Sequence, residues 1–200
     1  MPRLNRIGAT LVAAGIALAA VFVMDASVGA QATESAAAPV LVIETEKGTI
    51  EIQTDPEGAP ATVEHVLRLV RRNFYNGLRI HRVDDGRLVQ FGDPQTRDFT
   101  KRANWGYGGS GRVVGESEVG GEHVAGTVSM AHPGDPAYAD SQMFIMLAPQ
   151  PQYDGEYAII GQVVTGLNVA AQLAVEDRIV RLYVKGEDPQ RRPLVRGPRP

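Results

Sequence analysis

The sequence predicts a mostly-β domain, a barrel or sandwich whose open ends are covered by a helix or two. Three observations predict it. Short runs rich in β-branched residues recur from Val40 to Lys185, only two stretches carry helical spacing, and the strands do not alternate with helices as a parallel βαβ sheet requires.

Val40 to Thr45 and Gly48 to Thr54 are separated by Glu46-Lys47, and a glycine at 48 can take the positive φ of a tight hairpin, so the two runs are predicted to pair antiparallel. From Pro60 the pattern changes. Val63, Val66, Leu67, Val70 and Phe74 recur at helical spacing with Glu64, His65, Arg68, Arg71 and Arg72 between them, which predicts an amphipathic helix with Pro60 in its first turn. Asn76-Gly77 stops it and turns the chain into a strand over Leu78 to Val83. Leu88 to Phe91, Thr127 to His132, Gln142 to Leu147, Ala158 to Val164 and Ile179 to Lys185 read as further strands, and Leu167 to Ala174 as a second helix. The glycine-rich stretch from Gly92 to Glu122 is either a functional loop or several tight excursions packed against the domain.

Ahead of the domain, Arg3 and Arg6 precede an apolar run from Ile7 to Met24 and small residues ending in Ala30-Gln31-Ala32. Residues 1–32 therefore read as a signal peptide or, left uncleaved, as an N-terminal membrane anchor, although the run falls short of the about 20 residues of a comfortable span. Either way the domain is expected outside the cytoplasm, in the periplasm or another extracytoplasmic space. Residues 33–39 read as a linker, 40–185 as the domain, and 186–200 as a disordered Pro/Arg-rich tail.

Composition narrows the chemistry. With 44% hydrophobic and 22% charged residues, 200 residues suffice for one packed domain, and a formal charge of −3 gives no attraction to nucleic acid. No cysteine is present, so disulfides and thiolate chemistry are excluded. His65, His81, His123 and His132 are scattered without ligand spacing, so no metal is expected. Gly106 to Gly111 satisfies G-x-G-x-x-G but lacks the flanking strand and helix of a dinucleotide site, and Ser129 and Ser141 lack the glycine elbow of a hydrolase nucleophile. Arg68, Arg71 and Arg72 read as a solvated helix face.

Two segments remain. One is Phe74-Tyr75-Asn76-Gly77-Leu78-Arg79-Ile80-His81-Arg82-Val83 followed by Val89-Gln90-Phe91-Gly92-Asp93-Pro94; the other is Gly126-Thr127-Val128-Ser129-Met130-Ala131 followed by Ser141-Gln142-Met143-Phe144-Ile145. In this order, with Tyr153-Asp154-Gly155 and Ile160-Gly161-Gln162-Val163 after them, they resemble the signature regions of cyclophilin-type peptidyl-prolyl cis/trans isomerases from about Val40 to Lys185. The resemblance implies a closed eight-stranded antiparallel β-barrel capped by two α-helices, acting without a cofactor as a monomer on proline-containing polypeptides. It implies Arg82 as the catalytic arginine and Gln90 as the residue that orients it and the substrate. Leu88, Met130 and Phe144 match the proline pocket, and Ala131 and Gln142 match groove positions touching the residue before proline. His132, Gln152, Tyr153 and Tyr157 match further groove positions.

This chain departs from the family pattern at several positions. Ile80 replaces the phenylalanine of the F-H-R-V-like motif, and Gln152 stands where eukaryotic members carry a tryptophan important for cyclosporin, which implies weak cyclosporin sensitivity. Arg87 takes the place of a pocket phenylalanine, which would make the pocket more polar or leave one wall to be supplied differently, and Phe91 takes that of a glycine, where its ring would partly restore apolar area or obstruct the groove. Should they spoil the pocket, the alternative is a weak or inactive module that only binds proline-containing peptides.

Overall fold

A computed structural model of the chain describes residues 37–114, 116 and 120–187. The leader or anchor reading of 1–32 lies outside these residues, as do 33–36 of the linker and 188–200 of the tail. Eight strands form one antiparallel sheet: β1 (Val40–Thr45), β2 (Gly48–Thr54), β3 (Arg82–Asp84), β4 (Leu88–Phe91), β5 (Thr127–Met130), β6 (Met143–Met146), β7 (Ile159–Thr165) and β8 (Ile179–Val184). Their order is β3-β4-β6-β5-β7-β2-β1-β8. The β1–β2 hairpin closes with Thr45 opposite Gly48, whose φ of 139° is the positive value that the two-residue connection demands.

Alternate residues of every strand meet in one apolar cluster, among them Ile43, Ile52, Val83, Val89, Val128, Ile145, Ile160 and Leu182. One sheet brings all its strands to a common core only by curling on itself, which its twist and period-two alternation permit. Each fully buried side chain of this size stabilises the fold by about 1.5–3 kcal/mol.

The closed barrel expected from the resemblance is not completed as a ladder. The end strands β3 and β8 are not paired with each other, and the sheet is a curled, open half-barrel along that seam. Four backbone hydrogen bonds cross at one corner: Gly77 N to Ile179 O, Ile179 N to Leu78 O, Ile80 N to Asp177 O and Glu176 N to Ile80 O, each 2.8–2.9 Å, beside the lone bridge Arg79–Arg178. This also shortens β3 relative to its expected start at Leu78. Leu78 and Ile80 are fully buried, but the backbone from Gly77 to Ile80 bonds to the segment leading into β8, so only Arg82–Asp84 runs as strand.

Helix α1 (Pro60–Arg71) begins at the expected proline and buries Val63, Val66, Leu67, Leu69 and Val70 against the core, with Arg68 and Arg71 in its last turn. The second helix is shorter than its pattern: α2 is the single turn Leu167–Ala170. Beyond it Gln172 and Leu173 bond three residues back, to Val169 and Ala170, and the Asp177 carboxylate accepts Ala174 N at 2.6 Å, so the backbone there is satisfied as turns rather than helix.

Candidate active site

Register builds the site. Arg82 lies opposite Gln90, Gln90 opposite Phe144 and Phe144 opposite Ser129, so one row across β3, β4, β6 and β5 shares the outer face of the sheet. The neighbouring row of Val83, Val89, Ile145 and Val128 faces the core. Along the outer row, Arg82 Nη1 donates to Gln90 Oε1 at 3.2 Å, and Gln90 Nε2 donates to Gln142 Oε1 at 2.9 Å. Gln142 Nε2 in turn donates to the carbonyls of Gly106 and Gly108, both at 2.8 Å. The guanidinium is half exposed, and Asp84 Oδ2 lies 3.8 Å from its Nη2.

Beside Arg82 is a cavity of about 90 Å³ walled by Leu88, Gln90, Ala131, His132, Phe144, Tyr153 and Tyr157. Its aromatic rings meet edge to face: Phe144 and Tyr157 at 5.2 Å, Tyr153 and Tyr157 at 5.1 Å, Phe144 and Tyr153 at 5.9 Å. His132 Nδ1 accepts Gly134 N, leaving Nε2–H to donate to Glu156 O at 2.8 Å, and its ring lies 4.5 Å from that of Tyr157. The pocket is small, has aromatic rings and Leu88 in its walls and is bordered by one cation, a fit for a pyrrolidine ring presented next to a hydrogen-bond donor.

Gln90, Ala131 and His132 also border a second cavity, of about 320 Å³, whose other walls come from the 106–113 loop and from Tyr138, Asp140 and Gln142. Sequence reasoning identified Ala131, His132 and Gln142 there but not the loop. Over its described residues the glycine-rich stretch makes tight excursions pinned by carboxylates, and part of it lines this cavity. The buried Asp93 accepts Gln95 N, Gly106 N and Gly108 N, and Asp140 accepts Ser110 Oγ, Gly111 N and Arg112 N. The amides that a dinucleotide site would offer to phosphate are thus occupied by two aspartates. A Cβ at Gly108 would lie 2.2 Å from Asp93 Oδ1, so the glycine is needed for that close approach.

Four residues sit differently from their sequence reading. Met130, expected on the pocket wall, is fully buried in the main core, because β5 pairs Met130 with Met143 on the inner row. Gln152 is exposed, bonds Gln150 and lines neither cavity. Arg87 points away from the pocket and pairs with Asp84 at 2.6 Å, so it does not make the cavity polar. Phe91 does not obstruct the groove: it is 1% exposed and packs edge-on to Tyr75, 6.3 Å away in the core. The missing wall comes instead from Tyr153 and Tyr157.

Two histidines near the site predict a pH-dependent stability. Burial pushes both His81 and His123 below the ordinary value of 6.5, against the opposing pull of Asp93 and Asp154 respectively. Both are held neutral in the fold and regain normal proton affinity on unfolding, so below pH 6.5 the unfolded chain binds more protons. Stability is therefore full above pH 6.5 and falls as pH drops from there toward the lowered folded values, by up to about 1.4 kcal/mol per pH unit for each histidine. Urea unfolding at pH 7.5, 6.5 and 5.5 checks this; equal free energies across the series would contradict it.

Comparison with known proteins gives the same direction. The sequence model of the family described as cyclophilin type peptidyl-prolyl cis-trans isomerase/CLD matches residues 40–194. A probable peptidyl-prolyl cis-trans isomerase from Brucella abortus is 36% identical over 178 residues, covering 86% of this chain and 91% of the relative. Peptidyl-prolyl cis-trans isomerase B from Bacillus subtilis is 35% identical, covering 68% and 91% of the two chains. Among solved structures, a cyclophilin from Hirschia baltica superposes with a TM-score of 0.60 at 23% identity over 74% of each chain. A Cryptosporidium parvum cyclophilin type isomerase, solved in the presence of the dipeptide Ala-Pro, gives a TM-score of 0.60 at 22% identity over 72% of this chain and 98% of its own. With the family pattern covering most of the chain and a relative this similar along nearly its whole length, the chain belongs to the cyclophilin-type peptidyl-prolyl cis-trans isomerases.

Proposed function

We propose that this isomerase turns X-Pro bonds of polypeptides outside the cytoplasm and so assists their folding, with Arg82 as its catalytic residue and Gln90 as the residue that aims it. The observation that carries the assignment is Arg82 itself, a half-exposed guanidinium held by Gln90 at the rim of an aromatic cavity of prolyl size. The X-Pro barrier of roughly 18–20 kcal/mol comes from amide resonance, and as the bond twists the prolyl nitrogen regains its lone pair. A guanidinium N–H aimed at that lone pair makes a bond available mainly in the twisted state, so it stabilises the transition state over both ground states. A rate gain of about 10⁵ needs close to 7 kcal/mol, more than one charge-assisted hydrogen bond of about 1.5–3 kcal/mol supplies. Immobilising the flanking peptide along Gln142 and Ala131 supplies much of the remainder.

That the Cryptosporidium protein was solved in the presence of the dipeptide Ala-Pro supports a proline-containing substrate here too. Export is supported by the basic start, apolar run and Ala30-Gln31-Ala32 of residues 1–32; recovery of the full chain only from the cytoplasmic fraction of its own cells would sink that half of the proposal. The corner bonds between residues 77–80 and 176–179 support reading the curled sheet as a barrel drawn closed there, with α1 and the single turn α2 as its caps. The competing reading, a binding module without turnover, drew on Arg87 and Phe91, and neither side chain lines the cavity. Relaxation of an Ala-Pro test peptide, uncatalysed over tens to hundreds of seconds, tests the proposal. Marked acceleration by the purified protein is expected; a folded protein that binds the peptide without accelerating it would favour the module.

A further inference from the structure

Behind the aromatic wall stand three residues that the isomerisation chemistry does not use. His123, with its side chain fully buried, has its backbone N–H 2.7 Å and its Nδ1 3.1 Å from the same Asp154 oxygen, and its Nε2 2.9 Å from Ser129 Oγ. A carboxylate facing Nδ1 places the neutral ring's proton there, so Nε2 accepts from the serine hydroxyl. The residue types are those of a hydrolytic triad, but Ser129 is wholly buried in β5 and spends its hydroxyl on the imidazole. Only the orienting half of such an arrangement is present.

What it orients is the cavity wall. The His123 ring stacks on Phe144 at 6.1 Å and 22°, and meets Tyr153 at 5.9 Å and Tyr157 at 6.2 Å edge to face. Two hydrogen bonds at opposite edges prevent the imidazole from turning, and three rings of the proline cavity rest on it. We infer that His123 is a positioning residue, clamped by Asp154 and Ser129, that fixes Phe144, Tyr153 and Tyr157 around the substrate's prolyl ring; this rests on the isomerase reading above. Because these walls touch the prolyl ring in ground and transition states alike, the clamp acts on substrate affinity more than on turnover.

The test compares wild type, Asp154→Ala, Asp154→Asn and Ser129→Ala for kcat, KM and the Kd of an Ala-Pro test peptide measured by NMR titration. Asp154→Ala and Ser129→Ala, which release the ring from opposite edges, are each expected to raise KM and Kd at least fivefold with kcat changed less than twofold. Asp154→Asn keeps an oxygen acceptor for both N–H groups and is expected to recover most of the lost affinity. A lower urea midpoint with unchanged KM and Kd in both variants would mean that the triad only supports the fold, and overturns the inference. A wild type that binds the peptide without turning it over, and loses that binding in Asp154→Ala, would remove the isomerase reading and leave the clamp standing.

Discussion

Arg82→Ala is expected to lower kcat/KM between roughly tenfold and 150-fold, with KM nearly unchanged. The range follows from the about 1.5–3 kcal/mol of a charge-assisted hydrogen bond, at about 1.4 kcal/mol per factor of ten. Turnover and kcat/KM should fall together, since the bond to the prolyl nitrogen exists mainly in the twisted state. Folding is not the confounder. Arg82 is half exposed on the three-residue end strand β3, where its side chain hydrogen-bonds Gln90 and lies 3.8 Å from Asp84, so the unfolding free energy should move by no more than about 0.5 kcal/mol. A variant that keeps wild-type kcat/KM would remove Arg82 from the mechanism and leave the cavity walls to account for catalysis.

Phe91→Ala is expected to do the reverse, costing about 3–5 kcal/mol of stability while leaving the folded enzyme's kcat/KM within twofold. The ring is 1% exposed, packs edge to face on the buried Tyr75, and belongs to the cluster that joins the strands. Truncation opens a void that the sheet cannot close, because Gly92 beside it already approaches Ser141 and Gln142 so tightly that a Cβ there would meet Ser141 O at 2.2 Å. Against a total stability of about 5–15 kcal/mol the loss is severe, and urea unfolding measures it directly. A small loss of stability accompanied by a large loss of activity would place the ring in the groove instead of the core.

These two residues mark how far local pattern reaches. Arg82 was legible through motif order, and Gln90, Leu88, Phe144, Tyr153 and Tyr157 were legible with it; all of them border the same cavity. The orientation of Phe91 was also available and was missed. Gln90 on the outer face obliges Phe91 to face inward, by the period-two alternation of a strand. Met130 is a different case. Strand alternation pairs it with Val128, but which face either one takes depends on Ser129 standing opposite Phe144, and a slip of one residue would turn both strands over.

The sequence by itself determined the strand runs other than β3, the β1–β2 hairpin at Gly48, the start of α1 at Pro60 and the family, because each depends on neighbours within a few residues or on motif order along the chain. Only the tertiary structure decided that the ladder stays open between β3 and β8, that Met130 belongs to the core, that Asp93 and Asp140 hold the glycine-rich loop, and that His123, Ser129 and Asp154 meet behind Phe144. These depend on which backbone amides and carboxylates come within hydrogen-bond reach across tens of residues, and that is set by strand register in the curled sheet, which no local run of residues carries.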